Sequence, residues 1–232
     1  MKPIFFPSQN RGYFDHQWLQ TYHSFSFAEW VDPNRMGWGA LRVLNDDIIQ
    51  AGQGFGTHGH REMEIVTILL EGELEHQDSV GHREVLQPGM LQHMTAGTGI
   101  RHSEFNASST NPLRLLQIWI YPNQKDLKPA YETCDTTWLE PTDQLFLAAA
   151  PEGGALGLHQ DGALWLGCLL KGSLVSHSLA SNRTAYLFVA DGTLEVAGQP
   201  LTSGDAMGFL GPEEIQIKVL ENCRLVLSDL PK

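Results

Sequence analysis

His58 and His60 stand two residues apart in Gly52-Gln-Gly-Phe-Gly-Thr-His58-Gly-His60, and His102 and Glu104 repeat that spacing in Ile100-Arg-His102-Ser-Glu104. On an extended strand alternate side chains share one face, so each pair projects from rigid backbone in a single direction. Two such strands facing one barrel interior bring three imidazoles and a carboxylate together, which is a site for one divalent metal ion per chain. Imidazole and carboxylate form an N/O donor set suited to iron, manganese, copper, nickel, cobalt or zinc. Four protein ligands on an octahedral ion leave two positions for water, substrate or dioxygen. A closed structural zinc site more typically carries thiolates, and no cysteine lies near this cluster in the chain. Fe2+ is therefore the leading candidate, although affinity order alone favours copper.

Other polar residues compete for these roles. Counting by two from His58 passes through His60 and Glu62 to Glu64, so Glu64 rivals Glu104 as fourth ligand. Otherwise Glu64 is a partner that orients an imidazole by accepting its second N–H. His93 shares the strand preceding His102 and reads as packing or pocket wall. His76 precedes a turn and His82 follows it, which reads as solvent-facing for both. His16 and His23 have no neighbour at ligand spacing and read as hydrogen-bonded packing residues.

The elements that must position these residues are short strands. Residues 1–37 are aromatic and irregular, a long ordered segment laid over a sheet, with a strand at Leu41–Leu44. Strands follow at Glu64–Leu70, Glu73–Gln77, Glu84–Leu86, Leu91–Thr95 and Leu113–Ile120, punctuated by Asp78-Ser-Val-Gly81, Pro88-Gly89 and Ala96–Gly99. No segment here has convincing helical periodicity, and many short strands with Gly and Pro turns predict an all-β sandwich or barrel. Residues 126–143 are polar and turn-rich and read as a connection. It joins a metal-bearing barrel at 1–125 to a second barrel at 144–232, whose strands are expected at Leu145–Ala150, Ala163–Leu170, Ser173–Leu179, Thr184–Val189, Thr193–Val196, Glu214–Val219 and Arg224–Leu227.

The two halves are copies of one β unit. Glu71-Gly-Glu-Leu-Glu75 matches Asp191-Gly-Thr-Leu-Glu195, and Leu86-Gln-Pro-Gly89 matches Leu201-Thr-Ser-Gly204. Extending these offsets sets Ser178 and Ala180 against His58 and His60, and Ile217 and Val219 against His102 and Glu104. His177 misses that register by one residue, which on a strand means the opposite face. The second copy is thus expected to lack metal ligands.

Composition narrows the class. Net charge is −12 with no basic cluster, which argues against direct nucleic-acid binding. No apolar run is long enough to span a bilayer, and the start of the chain lacks a signal-peptide core, so a cytoplasmic protein without membrane contact is expected. Cys134, Cys168 and Cys223 are widely spaced and odd in number, which reads as reduced structural thiols.

Glycine-flanked His-x-His followed by a second motif after a Pro-Gly turn resembles the cupin superfamily. The finer likeness is to the pirin family, carried by His23-Ser-Phe-Ser-Phe-Ala28, Asp32-Pro33 with Met36-Gly37, Leu41-Arg-Val-Leu-Asn-Asp-Asp47, Gly52–His58 and Ala96–Glu104. That resemblance implies two tandem cupin barrels (double-stranded β-helix, or jelly-roll). It also implies ligation by His58, His60, His102 and Glu104, with Glu104 chosen over Glu64 on resemblance rather than spacing. One departure is Gly59, where the family usually has Pro; glycine is looser and restores a backbone N–H. The resemblance implies a quercetin 2,3-dioxygenase type of activity, opening a flavonol with O2, with Glu104 as base for the flavonol hydroxyl. It also implies an alternative, an iron- or redox-responsive module that binds a protein partner such as a transcription factor.

Overall fold

A computed structural model of the chain describes residues 2–232. Strands run as β1 (Ile4–Phe6), β2 (Gly12–Asp15), β3 (Leu19–His23), β4 (Leu41–Ile49), β5 (Gly54–His60), β6 (Glu64–Glu71), β7 (Leu74–Asp78), β8 (Arg83–Leu86), β9 (Met90–Thr95), β10 (Ile100–Asn106), β11 (Leu113–Ile120) and β12 (Ala130–Asp135). They continue as β13 (Phe146–Ala149), β14 (Ala163–Leu169), β15 (Leu174–Leu179), β16 (Arg183–Asp191), β17 (Thr193–Val196), β18 (Gln199–Thr202), β19 (Ala206–Leu210), β20 (Glu213–Val219) and β21 (Cys223–Pro231). Among the described residues the only helical element is a short 3-10 turn at Ser8–Asn10, and no helix is long and apolar enough to cross a membrane.

The chain divides into two compact units, each with a larger and a smaller sheet. One unit holds residues 11–37 and 41–136, with sheets ordered β12-β9-β6-β11-β4-β3-β2 and β5-β10-β7-β8. The other holds the stretch ending at Asn10, residues 38–40 and residues 137–232, with sheets β1-β19-β16-β21-β14-β13 and β15-β20-β17-β18. The nine strands β3 to β11 recur in the same order as β13 to β21, while β2 has no counterpart, so the repeat legible in the chain is a repeat of topology. Gly72 and Gly192 mark it at φ +84° and +81°, a left-handed turn that favours glycine.

Three expectations change. The aromatic segment before residue 37 does not simply cover a sheet; β2 and β3 extend it, pairing through β3 onto β4. The polar connection is not all loop, because Ala130–Asp135 pairs with β9 as an edge strand. The alternating pattern there was masked by its polarity, which is what an exposed edge strand carries.

The third change concerns register. Leu74 pairs with Asn106 and Leu194 with Val219, while Glu104 pairs with His76 and Ile217 with Val196. Glu104 therefore corresponds to Ile217, and His102 to Ile215, because the link from β19 to β20 is two residues shorter than that from β9 to β10. His102 pairs with His58, and Ile215 with His177, so His177 occupies the position of His58 and Leu179 that of His60. The second unit fills this interior with Leu179, Ile215 and Ile217 as part of its hydrophobic core. His177 is instead hydrogen-bonded to Asp229, at 2.8 Å.

Gly192 offers a direct check of the repeat's turn. A Cβ there would sit 2.1 Å from the Asn222 carbonyl oxygen, on backbone already at positive φ. Gly192→Ala is expected to destabilise the protein by about 1–3 kcal/mol in urea denaturation. An unchanged midpoint would show that the turn tolerates a side chain.

Candidate metal centre

Antiparallel pairing of β5 with β10 sets His102 opposite His58 and Ile100 opposite His60. One nitrogen from each of His58, His60 and His102 lies within 4.8 Å of the others. His60 Nε2 is 2.9 Å from His102 Nε2, and the His58 ring centroid is 4.8 Å from that of His60 and 4.5 Å from that of His102. His58 Nδ1 donates to the Gly56 carbonyl at 2.8 Å, which leaves Nε2 with its lone pair. Burial, reinforced by the neighbouring imidazoles, lowers the pKa of His60 to about 4 and that of His102 to about 3. Both rings are neutral at neutral pH, the form a cation binds. Three imidazoles whose nitrogens converge fit a divalent ion.

The register slips between His102 and Glu104, a bulge that sets Glu104 opposite Phe55. Glu104 is 2% exposed. Its Oε1 accepts from Gln92 Nε2 at 3.2 Å and its Oε2 from Gln117 Nε2 at 3.1 Å. The ring closes behind it: Gln92 Nε2 also donates to Thr67 Oγ1 at 3.0 Å, and Thr67 Oγ1 donates to Gln117 Oε1 at 3.1 Å. Glu104 is thereby fixed in orientation with lone pairs to spare. It clusters with His102 and His76, whereas His58 and His60 cluster with His102. The four residues singled out in the chain thus fall into two overlapping sets that share His102.

His76 departs from its expected place: it is fully buried rather than solvent-facing. Its Nδ1 approaches His102 Nδ1 at 3.5 Å, its Nε2 approaches Asp78 Oδ2 at 3.5 Å, and Tyr131 stacks on it with centroids 4.4 Å apart. Counting by two from buried Leu74 would have found it; proximity to the turn misled. His82 lies as expected, its side chain 45% exposed, with Nδ1 3.0 Å from Asp78 Oδ2.

Glu64 does not orient a cluster histidine. The chain leaves β5 after His60 and turns through Glu62 at φ +52°, so alternation does not carry across to Glu64 on β6. Glu64 instead meets His93 Nε2 at 2.9 Å, and Glu132 takes His93 Nδ1 at 3.0 Å. Burial pulls the His93 pKa down, but the Glu132 and Glu64 carboxylates more than offset it and raise it. His93 is a clip between the two carboxylates that holds β12 to β9. His23 is buried against Phe14 and Phe27, and His16 stacks on Phe14.

A cavity of about 240 Å3 opens onto the cluster, lined by His58, His60, His102 and Glu104 with Phe27, Phe55, Ile65 and Trp119. Trp119 meets His60 edge to face at 4.8 Å. Asn45, Asp47 and Gln117 complete the wall.

Comparison with known proteins gives a consistent picture. The Pirin family model matches residues 6–120, and the model of the quercetinase C-terminal cupin domain matches residues 145–230. Quercetin 2,3-dioxygenase of Escherichia coli strain K12 is 43% identical over 224 residues, covering 97% of this chain and 96% of that protein. The crystal structure of YhhW from E. coli superimposes with a TM-score of 0.94 at 41% identity, covering 99% of this chain and 98% of that one. The bacterial pirin YhhW from E. coli in complex with nickel(II) superimposes with a TM-score of 0.93 at 41% identity, over 99% of each chain.

Two measurements test the cluster. His60→Ala and His102→Ala should each weaken nickel(II) binding by more than the ~10–100-fold typical of outer-sphere changes, with circular dichroism unchanged; full metal retention in either would remove that residue from the set. The metal-free protein should also lose stability as pH falls. The unfolded chain protonates these histidines near 6.5 while the folded one holds His60 neutral to about 4, so protons favour unfolding through that window. His60→Gln should flatten this acid slope in urea titrations.

Proposed function

The chain belongs to the pirin family of two-cupin proteins, and from that premise we propose that it is a metal-dependent dioxygenase of the quercetin 2,3-dioxygenase type. The observation that carries this reading is the pairing of three converging imidazoles with a separately held carboxylate, Glu104, on one apolar-walled cavity. His58, His60 and His102 would hold the ion with Glu104 as fourth ligand, and Fe2+ is the metal we assign. Such an ion supplies a Lewis-acidic, redox-capable contact for the substrate hydroxyl and for electron transfer to dioxygen.

The chain's own residues do the rest. Glu104, steadied by Gln92 and Gln117, is positioned to take the flavonol hydroxyl proton, which makes the ring electron-rich enough to react with O2. Ring opening then releases carbon monoxide. Phe27, Phe55, Ile65 and Trp119 give the aromatic substrate flat apolar walls and keep water from the activated ring. The cavity is below the ~300–1,000 Å3 of drug-sized pockets, so it seats the reacting end of a three-ring flavonol while the half-buried His58 side stays open. An open cavity favours catalysis over the alternative of a partner-binding module, whose interior would have no need of it.

Oxygen uptake with quercetin, after anaerobic reconstitution with ferrous iron, tests the reading. Uptake should require the flavonol and vanish in His102→Ala. Glu104→Gln should lower kcat by about 10^2–10^4. Absence of uptake with iron bound at one per chain would overturn the dioxygenase assignment.

A further inference from the structure

The wall of the cavity contributed by β4 is polar where the strand is otherwise apolar. Alternation along β4 sends Asp46 to one face, where Arg114 holds it through Nε at 2.8 Å and Nη2 at 2.9 Å, and sends Asn45 and Asp47 to the other. Both inward residues are buried, at 3% and 5% exposure, and both line the cavity beside the histidine cluster. Gln117, on the neighbouring strand, is the cross-strand partner of Asn45, and Trp119 follows it on the same face.

Their hydrogen bonding is incomplete in a particular way. Thr21 bonds the Asp47 carboxylate, yet Asp47 Oδ1 and Asn45 Oδ1 accept no hydrogen bond from the protein. Trp119 Nε1 donates none. Buried polar atoms are nearly always satisfied, and leaving them bare costs stability, so three on one cavity wall point to a ligand that completes them. Burial, with the Asp46 and Glu104 carboxylates adding to it, pushes the Asp47 pKa up to about 7 against the pull of Thr21. The strand spacing separates the two residues by about 6.5–7 Å, the scale of a substituted aromatic ring.

We propose that Asn45 and Asp47 form a substrate-positioning subsite that accepts hydrogen bonds from ring hydroxyls of a polyhydroxylated aromatic, with Trp119 donating to an oxygen of the same molecule. This inference rests on the flavonol reading above and deepens it: these two residues select for hydroxylation, not for the ring system. A ligand lacking those hydroxyls would leave the two acceptors bare, the situation in which hydrogen-bonding sites discriminate most strongly.

The test is anaerobic binding of quercetin and of 3-hydroxyflavone, which lacks the other hydroxyls, to nickel(II)-loaded protein. Wild type should prefer quercetin by about tenfold or more. Asn45→Leu and Asp47→Leu should each erase most of that preference while nickel content and 3-hydroxyflavone affinity stay within about threefold. Asp47→Asn, which keeps an oxygen acceptor and the side-chain shape, should retain it, a rescue that a purely structural role would not produce. Wild-type preference persisting in both leucine variants would overturn the subsite and leave the flavonol reading standing. Wild type binding neither compound would overturn both.

Discussion

The pairing register of β5 with β10 is the constraint on which the site depends. His58 meets His102 across the ladder, and a one-residue slip would turn each His-x-His or His-x-Glu pair to the outside of the sheet. Side-chain packing alone does not hold that register. Gly54 lies so close to the partner strand that a Cβ would fall 2.2 Å from the Glu104 carbonyl oxygen, so the strands can approach at this end only with glycine there. The bulge after His102 then re-aims Glu104 toward the Gln92, Thr67 and Gln117 ring.

Behind this pair the two units put one frame to different uses. The larger sheet of the unit with the histidine cluster turns Thr67, Gln92 and Gln117 inward, a buried polar ring whose members hydrogen-bond one another. The other unit places Leu187, Met207 and Leu227 at the matching positions and packs them into an apolar core. Polar interiors of this kind are costly unless complete, and completeness here is what gives Glu104 a single orientation. His76 extends the principle to the imidazoles by standing behind His102 at 3.5 Å.

Much of this could be read before any coordinates. Alternation and turn residues located most strands to within a residue or two, and Gly72 and Gly192 revealed the duplication because a left-handed turn is hard to satisfy otherwise. The convergence of His58, His60 and His102 was legible because paired histidines at strand spacing are rarely coincidental. What failed did so for physical reasons. Register in the second copy depends on loop lengths, and a two-residue shortening before β20 moved the expected counterparts of His102 and Glu104. Glu64 was misplaced because alternation stops where a strand ends. His76 and the Asn45–Asp47 pair escaped notice because burial is a tertiary property, although acids inside an apolar strand are themselves a signal.

The pairing of β1 with β19 gives the molecule an order of assembly. Ile4–Phe6 hydrogen-bond as an edge strand to Ala206–Leu210, within the unit built mostly from the end of the chain. During synthesis that strand leaves the ribosome about 200 residues before its partner, an interval of about 10–40 s at ordinary elongation rates. Residues 11–37 and 41–136, which carry the histidine cluster, form a compact unit of which β1 is not a strand, and all of them are made within that interval. The unit with the histidine cluster is thus the early product of translation, and the strand that precedes it in the chain is among the last to find its place.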